Sequence, residues 1–173
     1  MRADAPVTVD LDALALRSGE GARLDVSLRP EPPVIGGEEL AISGEDLEAR
    51  VDVSRTTSGY ALRLRVETTV SGTCARCLGP AELRVSVDAR EVDQPSVDDP
   101  ELRSPYVGEG LLAVDSWVHD AIILAIPERL LCRPDCAGLC EVCGVSLNDF
   151  EPGEHRHEPE PDPRFAKLRE LTE

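Results

Sequence analysis

YALRLRVETTVSGTCARCLGPAELRVSVDAR, residues 60–90, decides the fold of this chain. Its first half sets Tyr60, Leu62, Leu64, Val66 and Val70 on one side and Ala61, Arg63, Arg65 and Glu67 on the other. The second half repeats the pattern, with Leu83, Val85, Val87 and Ala89 against Arg84, Ser86, Asp88 and Arg90. A period of two marks a strand with one face in a core and the other in water. The SGTCARCLGPA between them is short enough for the strands to pair as neighbours. Cys74 and Cys77 then sit at a hairpin tip.

Outward from this hairpin the alternation recurs. Ala22, Leu24, Val26 and Leu28 oppose Arg23, Asp25 and Ser27, and Val51 and Val53 oppose Arg50, Asp52 and Ser54. Val7 and Val9 suggest a short strand, and residues 11–16 a helical turn. EPPVIGGEEL, residues 31–40, is expected to break regular structure with its two prolines and two glycines. Residues 93–110 read as a long loop, with Pro95, Pro100, Pro105, Gly108 and Gly110 among acids. Asp115 is expected to cap a helix over about 116–126 that Pro127 ends. Val118, Ala121, Ile122, Ala125 and Ile126 would pack it on the sheet. His119 has no ligand-like neighbour and reads as a surface residue. Phe165, Leu168 and Leu171 outline a short terminal helix over 164–171. The fold class is α+β, an antiparallel sheet with one packed helix and a zinc-ribbon-like C-terminal module. The expected division is a core over residues 1–131 and a zinc-knuckle module over 132–173.

That module opens with CRPDCAGLCEVCGVSLN, residues 132–148, which holds Cys132, Cys136, Cys140 and Cys143. Cys140 and Cys143 followed by Gly144 form a zinc knuckle. The two-residue spacer lets both thiolates face one point, and glycine lets the backbone turn beneath the metal. Disulfides are the competing use of paired cysteines and need an oxidising compartment. The first twenty residues lack a basic segment followed by an apolar one, so no secretory signal is read. The longest apolar run, residues 121–127, is too short to span a membrane. A cytoplasmic location is expected, which favours metal.

The ligands divide in more than one way. Cys132, Cys136, Cys140 and Cys143 would make one compact site on a very tight chain path. Tetrahedral sites are more usually built from two ligand pairs brought together by folding. In that arrangement Cys74 and Cys77 meet Cys132 and Cys136, while Cys140 and Cys143 meet His155 and His157. The expected cofactor is structural zinc, one or two ions. Redox use of CARC fits poorly, because such a pair normally opens a helix whose N-terminus lowers the thiol pKa. No carboxylate dyad or nucleophile–base pair stands out, and a closed four-ligand site leaves no open position for catalysis.

Charge limits the partner. With 34 acidic and 18 basic residues the net charge is −16, and no segment of the chain is basic. Such a surface repels phosphate backbones. Aromatics at 3% leave no stacking platform for single-stranded RNA.

CARCL (74–78), IILAIP (122–127), CAGLCEVCG (136–144), Leu147 with Asn148, and DPR (162–164) occur in that order. Together they resemble the YceD family, described as large ribosomal RNA subunit accumulation proteins, over about residues 5–171. The resemblance implies a role in accumulation of the 23S rRNA precursor. Genes of the family commonly neighbour that of a small basic large-subunit ribosomal protein. Some members carry a Cys-x-Cys where this chain has His155 and His157, an exchange of one ligand pair for another. The reading is therefore a non-enzymatic ribosome biogenesis factor, with a basic ribosomal protein or a large-subunit precursor as partner. No membrane and no small-molecule substrate is expected. A direct RNA contact through Arg63, Arg65 and Arg84 stays open beside it. The rival readings are a metal-dependent RNA-processing hydrolase and a generic zinc adaptor.

Overall fold

The alternation over 60–90 becomes the longest hairpin of the molecule. A computed structural model describes residues 6–157, so the helix expected over 164–171 lies outside the described residues. In chain order the strands are β1 (Thr8–Asp10), β2 (Gly21–Leu28), β3 (Val34–Ile35), β4 (Glu38–Glu39), β5 (Ala41–Ile42) and β6 (Leu47–Arg55). The hairpin strands β7 (Tyr60–Thr73) and β8 (Pro80–Asp93) follow, then β9 (Val107–Gly108), β10 (Leu111–Ala113) and helix α1 (Val114–Ala125).

The main sheet is antiparallel, with β2 beside β6, β6 beside β7, and β8 along the other edge of β7. β5 pairs with β7 at Ser71 and Val70, beyond the reach of β6. Register places Leu64 opposite Val51 and Val66 opposite Val87, so the apolar halves of three strands share one face. Val51, Val53, Leu62, Leu64, Val66, Val70 and Val85 are all buried there. Each such side chain contributes roughly 1.5–3 kcal/mol relative to remaining in water. The sheet therefore has a buried apolar face of its own, apart from the cysteine-bearing tip. Thr68 occupies a position that the alternation reserves for an apolar residue and is buried, its hydroxyl without a hydrogen-bond partner.

The opposite face carries a charge ladder. Arg63 Nε lies 2.7 Å from Asp88, Arg23 Nε 2.7 Å from Asp52, and Arg50 Nε 2.9 Å from Asp25. Arg65 also pairs with Asp52. Hydrogen bonding to Arg23 holds the Asp52 carboxyl below its ordinary range, and Arg63 does the same for Asp88.

The helix departs from expectation at its start. It begins at Val114, and Asp115 lies within its first turn instead of capping it. The reason is local: β10 runs directly into the helix, and the Val114 N–H donates to the Val7 carbonyl at 3.0 Å. The residue just before β1 thus satisfies one of the donors that a helix start leaves open. The buried helix residues are Val114, Trp117, Val118, Ala121 and Ile122, with Ile126 buried just beyond. Ala125 is exposed, contrary to its expected packing, and Trp117 takes the larger share, stacked on Tyr106 at 5.8 Å. His119 lies near the surface beside Asp120, as expected.

Residues 31–40 also differ from expectation. They fold into the small hairpin β3–β4, because Gly36 and Gly37 both adopt positive φ, +61° and +87°, in the intervening two-residue turn. The long loop over 93–110 holds a 3-10 turn, Pro100–Leu102, and then β9. Strands β1, β10 and β9 form a separate small sheet. Leu11, buried just after β1, anchors it to the core and accepts a hydrogen bond from the Tyr60 hydroxyl at its carbonyl.

Candidate metal centre

Strand β7 ends at Thr73 and β8 begins at Pro80, leaving residues 74–79 as the hairpin tip. Within it the Cys74 N–H donates to the Gly79 carbonyl and the Leu78 N–H to the Cys74 carbonyl. This tight turn points both thiols the same way. The Ala75 N–H donates to the Leu130 carbonyl at 2.8 Å, which docks the segment after α1 against the tip. Cys132 and Cys136 arrive from that segment.

The four sulfurs of Cys74, Cys77, Cys132 and Cys136 lie within 4.8 Å of one another. Cys74 and Cys136 are 3.8 Å apart, and Cys77 and Cys132 3.7 Å. A regular tetrahedron with zinc–sulfur bonds of about 2.3 Å has edges of about 3.8 Å. A disulfide would bring two sulfurs to about 2.05 Å, and all six cysteines are free. The set fits a tetrahedral soft cation. Cys74 and Cys136 are fully buried, Cys77 is half-buried and Cys132 exposed, so the site sits at the rim of the core.

Electrostatics agrees with the geometry. Burial pushes the Cys74 thiol up, but hydrogen bonds from the backbone at Cys77, Cys132 and Arg76 outweigh it and bring it down to about 6. Burial and the sulfurs of Cys136, Cys77 and Cys74 leave Cys132 pushed up to about 12. The Asn148 side chain, ahead of the Gly138 backbone, lowers Cys136. Sulfurs packed this closely compete for negative charge, and a bound cation removes the competition.

The second set is Cys140, Cys143, His155 and His157, whose ligand atoms also lie within 4.8 Å of one another. The Cys140 N–H donates to the Val145 carbonyl and the Gly144 N–H to the Cys140 carbonyl, both at 2.8 Å, closing the knuckle. Gly144 takes a φ of +73° in this turn. Backbone hydrogen bonds from Cys143 and Val142 lower the Cys140 thiol. Cys143 Sγ is 3.3 Å from Nε2 of both His155 and His157, and those nitrogens are 2.8 Å apart. Tetrahedral zinc–imidazole geometry has N–N edges of about 3.3 Å, so this set is slightly contracted. Its donor chemistry nevertheless suits the same class of ion. Phe150 packs against the His155 ring, with the ring centroids 4.9 Å apart.

Both groupings match the two-pair division of the ligands, and the compact arrangement of Cys132, Cys136, Cys140 and Cys143 is not the one formed. Two supporting residues enter the sequence reading only as motif positions, without a role. Gly138, at φ +82°, lets the chain pass the tip so closely that an added Cβ would lie 3.2 Å from the Arg76 carbonyl oxygen. Asn148 reaches back to Cys136. Its trace in the sequence is the Leu147–Asn148 pair that follows the knuckle among the motifs of the resemblance.

At the tip, Leu78 occupies the position that Gly144 holds in the knuckle. It adopts a left-handed φ of +58° while its side chain stays exposed. An L-residue there costs about 1–2 kcal/mol, partly offset against glycine by backbone entropy. Leu78→Gly is expected to raise stability by up to about 1 kcal/mol in urea unfolding. A loss of that size would show instead that the leucine side chain contributes packing.

The sequence profile of the family described as large ribosomal RNA subunit accumulation protein YceD matches residues 62–172, from within the hairpin past the second ligand set. The chain belongs to the YceD family. It is 37% identical to uncharacterized proteins of Mycobacterium tuberculosis and Mycobacterium bovis, over 96% of this chain and 82% of each relative. An uncharacterized protein of Mycobacterium leprae is 28% identical over 96% of this chain and 78% of its own length. No solved structure matches the chain. The YceD match covers all eight candidate ligands. No helix of the described residues is long and apolar enough to cross a membrane.

Proposed function

We propose that this chain is a non-enzymatic ribosome biogenesis factor that supports large-subunit rRNA accumulation by escorting a basic large-subunit ribosomal protein. Membership of a family described by large ribosomal RNA subunit accumulation supports the ribosomal part. The observation that carries the escort is electrostatic. The chain is at −16, and arginines of the sheet's outer face are paired with aspartates: Arg63 with Asp88, Arg65 with Asp52. Counterion release on RNA needs clustered unpaired cations, and these pairs work against it. An acidic surface attracts a basic protein over long range and shields it from nonspecific RNA contacts before delivery.

Zinc is the metal this reading assigns to both sets, held by Cys74, Cys77, Cys132 and Cys136, and by Cys140, Cys143, His155 and His157. Bound there, it supplies structural cross-linking. Four protein donors complete a tetrahedral shell, which favours structure over hydrolysis. The first set then clasps the segment that begins at Cys132 onto the hairpin tip of the sheet.

Crosslinking in cells tests the escort. A captured basic ribosomal protein is the expected product. Abundant precursor-rRNA crosslinks at Arg63, Arg65 or Arg84, with no basic ribosomal protein recovered, would refute it. Hydrolysis of precursor rRNA that one ligand substitution abolishes, with the fold intact, would establish the enzymatic reading in its place.

A further inference from the structure

The two ligand sets meet through one side chain. Asn148 lies in the 3-10 turn Leu147–Asp149 that follows the knuckle of the second set. Its Nδ2 donates to Cys136 Sγ of the first set at 3.4 Å. Its Oδ1 accepts from the Ala137 N–H at 2.8 Å and from Arg133 at 2.9 Å. One amide therefore uses both ends on the Cys132–Cys136 segment while its backbone belongs to the second loop. The turn is also held on the stretch that joins the two sets: the Leu147 N–H donates to the Gly138 carbonyl, and Leu139 bridges Ser146 across the knuckle.

We propose that Asn148 is a positioning residue that couples the two metal centres, so that filling the second set raises the affinity of the first. The inference rests on the assignment of metal to both sets. A hydrogen bond donated to a ligating thiolate stabilises its charge and fixes its direction. Loss of such an outer partner typically lowers metal affinity about 10–100-fold. Asn148 donates only while its turn is in place, and a metal on Cys140, Cys143, His155 and His157 closes the loop that carries the turn. The link is reciprocal, since coupling between two binding equilibria acts equally in both directions.

Asn148→Asp separates this role from simple loop support. The carboxylate keeps an acceptor for Ala137 and Arg133 but has no N–H to give to Cys136, and it sets a negative charge beside a thiolate. The full chain is titrated with cobalt(II) against a competing chelator, following the sulfur-to-cobalt charge-transfer bands. Native mass spectrometry counts the ions in parallel. Four backgrounds are compared: the unaltered chain, Asn148→Asp, Cys140→Ser with Cys143→Ser, and all three changes together. The expected result is a 10–100-fold weaker first set in Asn148→Asp. A similar weakening is expected on removing the second set, with little further loss when the changes are combined.

Losses that simply multiply would overturn the coupling, as would an unchanged first set in Asn148→Asp. A second measurement needs no variant. In the chain loaded with cadmium-113, a scalar coupling from the metal through Cys136 to the Asn148 side-chain protons is expected, and its absence counts against the contact. If the unaltered chain binds no ion at all, the metal assignment itself fails, an outcome distinct from two independent sites.

Discussion

Replacing Cys74 and Cys77 together by serine is expected to cut the bound zinc from two ions per chain to one. The geometry makes this the largest single effect available. Both sulfurs belong to the first set, 3.8 Å and 3.7 Å from their partners Cys136 and Cys132. Structural zinc sites of this type are worth about 10–16 kcal/mol of apparent binding energy in peptides at neutral pH, so half a ligand set should not retain an ion. His155→Ala with His157→Ala is expected to remove the other ion and leave the first. Native mass spectrometry reads both counts. A single ion in the unaltered chain, indifferent to Cys74→Ser and Cys77→Ser, would return the ligands to the compact arrangement of Cys132, Cys136, Cys140 and Cys143. Stripping both ions should expose residues 127–157 to protease while far-UV circular dichroism keeps its strand signal. The sheet has its own buried face, from Val51 and Val53 through Leu62, Leu64 and Val66. Complete loss of that signal on chelation would contradict an independent core.

Trp117→Ala should cost about 3–5 kcal/mol in urea unfolding, the usual range for emptying a buried aromatic site. That is a large part of the 5–15 kcal/mol typical of whole domains. The tryptophan is 1% exposed and stacks on Tyr106, so its loss opens a cavity between α1 and the sheet and also frees the loop that carries Tyr106. Leu124→Ala is the control on the same helix. Leu124 is 84% exposed, and surface changes of this kind usually stay within about 0.5 kcal/mol. Comparable losses for the two variants would mean that the helix does not pack on the sheet through Trp117.

Which of these features were legible beforehand follows from their range along the chain. Alternation on either side of residues 71–81, broken only at Thr68, was enough for β7, β8 and the cysteine-bearing tip, because side-chain direction in a strand reverses at every residue. The meeting of Cys74 and Cys77 with Cys132 and Cys136 was one of two divisions that the spacing allowed, and the fold brings those sulfurs together. The helix start was misplaced because its first donor bonds to Val7, a residue more than a hundred positions away. No side chain caps the helix. The β3–β4 hairpin was hidden because Gly36 and Gly37 read equally as a break and as a tight turn, and only the pairing of Val34 with Glu39 separates the two.

By itself the sequence determined the period of the strands, the presence of six cysteines and two nearby histidines able to ligate a metal, and the sign of the net charge. Each of these is set by residues within a few positions of one another or by composition alone. Tertiary structure alone decided that the outer arginines are spent on aspartates of neighbouring strands, that Trp117 carries the helix contact, and that Asn148 of one loop holds Cys136 of the other set. Those are through-space contacts between chain-distant groups. Their energies depend on distances of a few ångströms that no local pattern encodes, because register and loop docking must be fixed before the groups can meet.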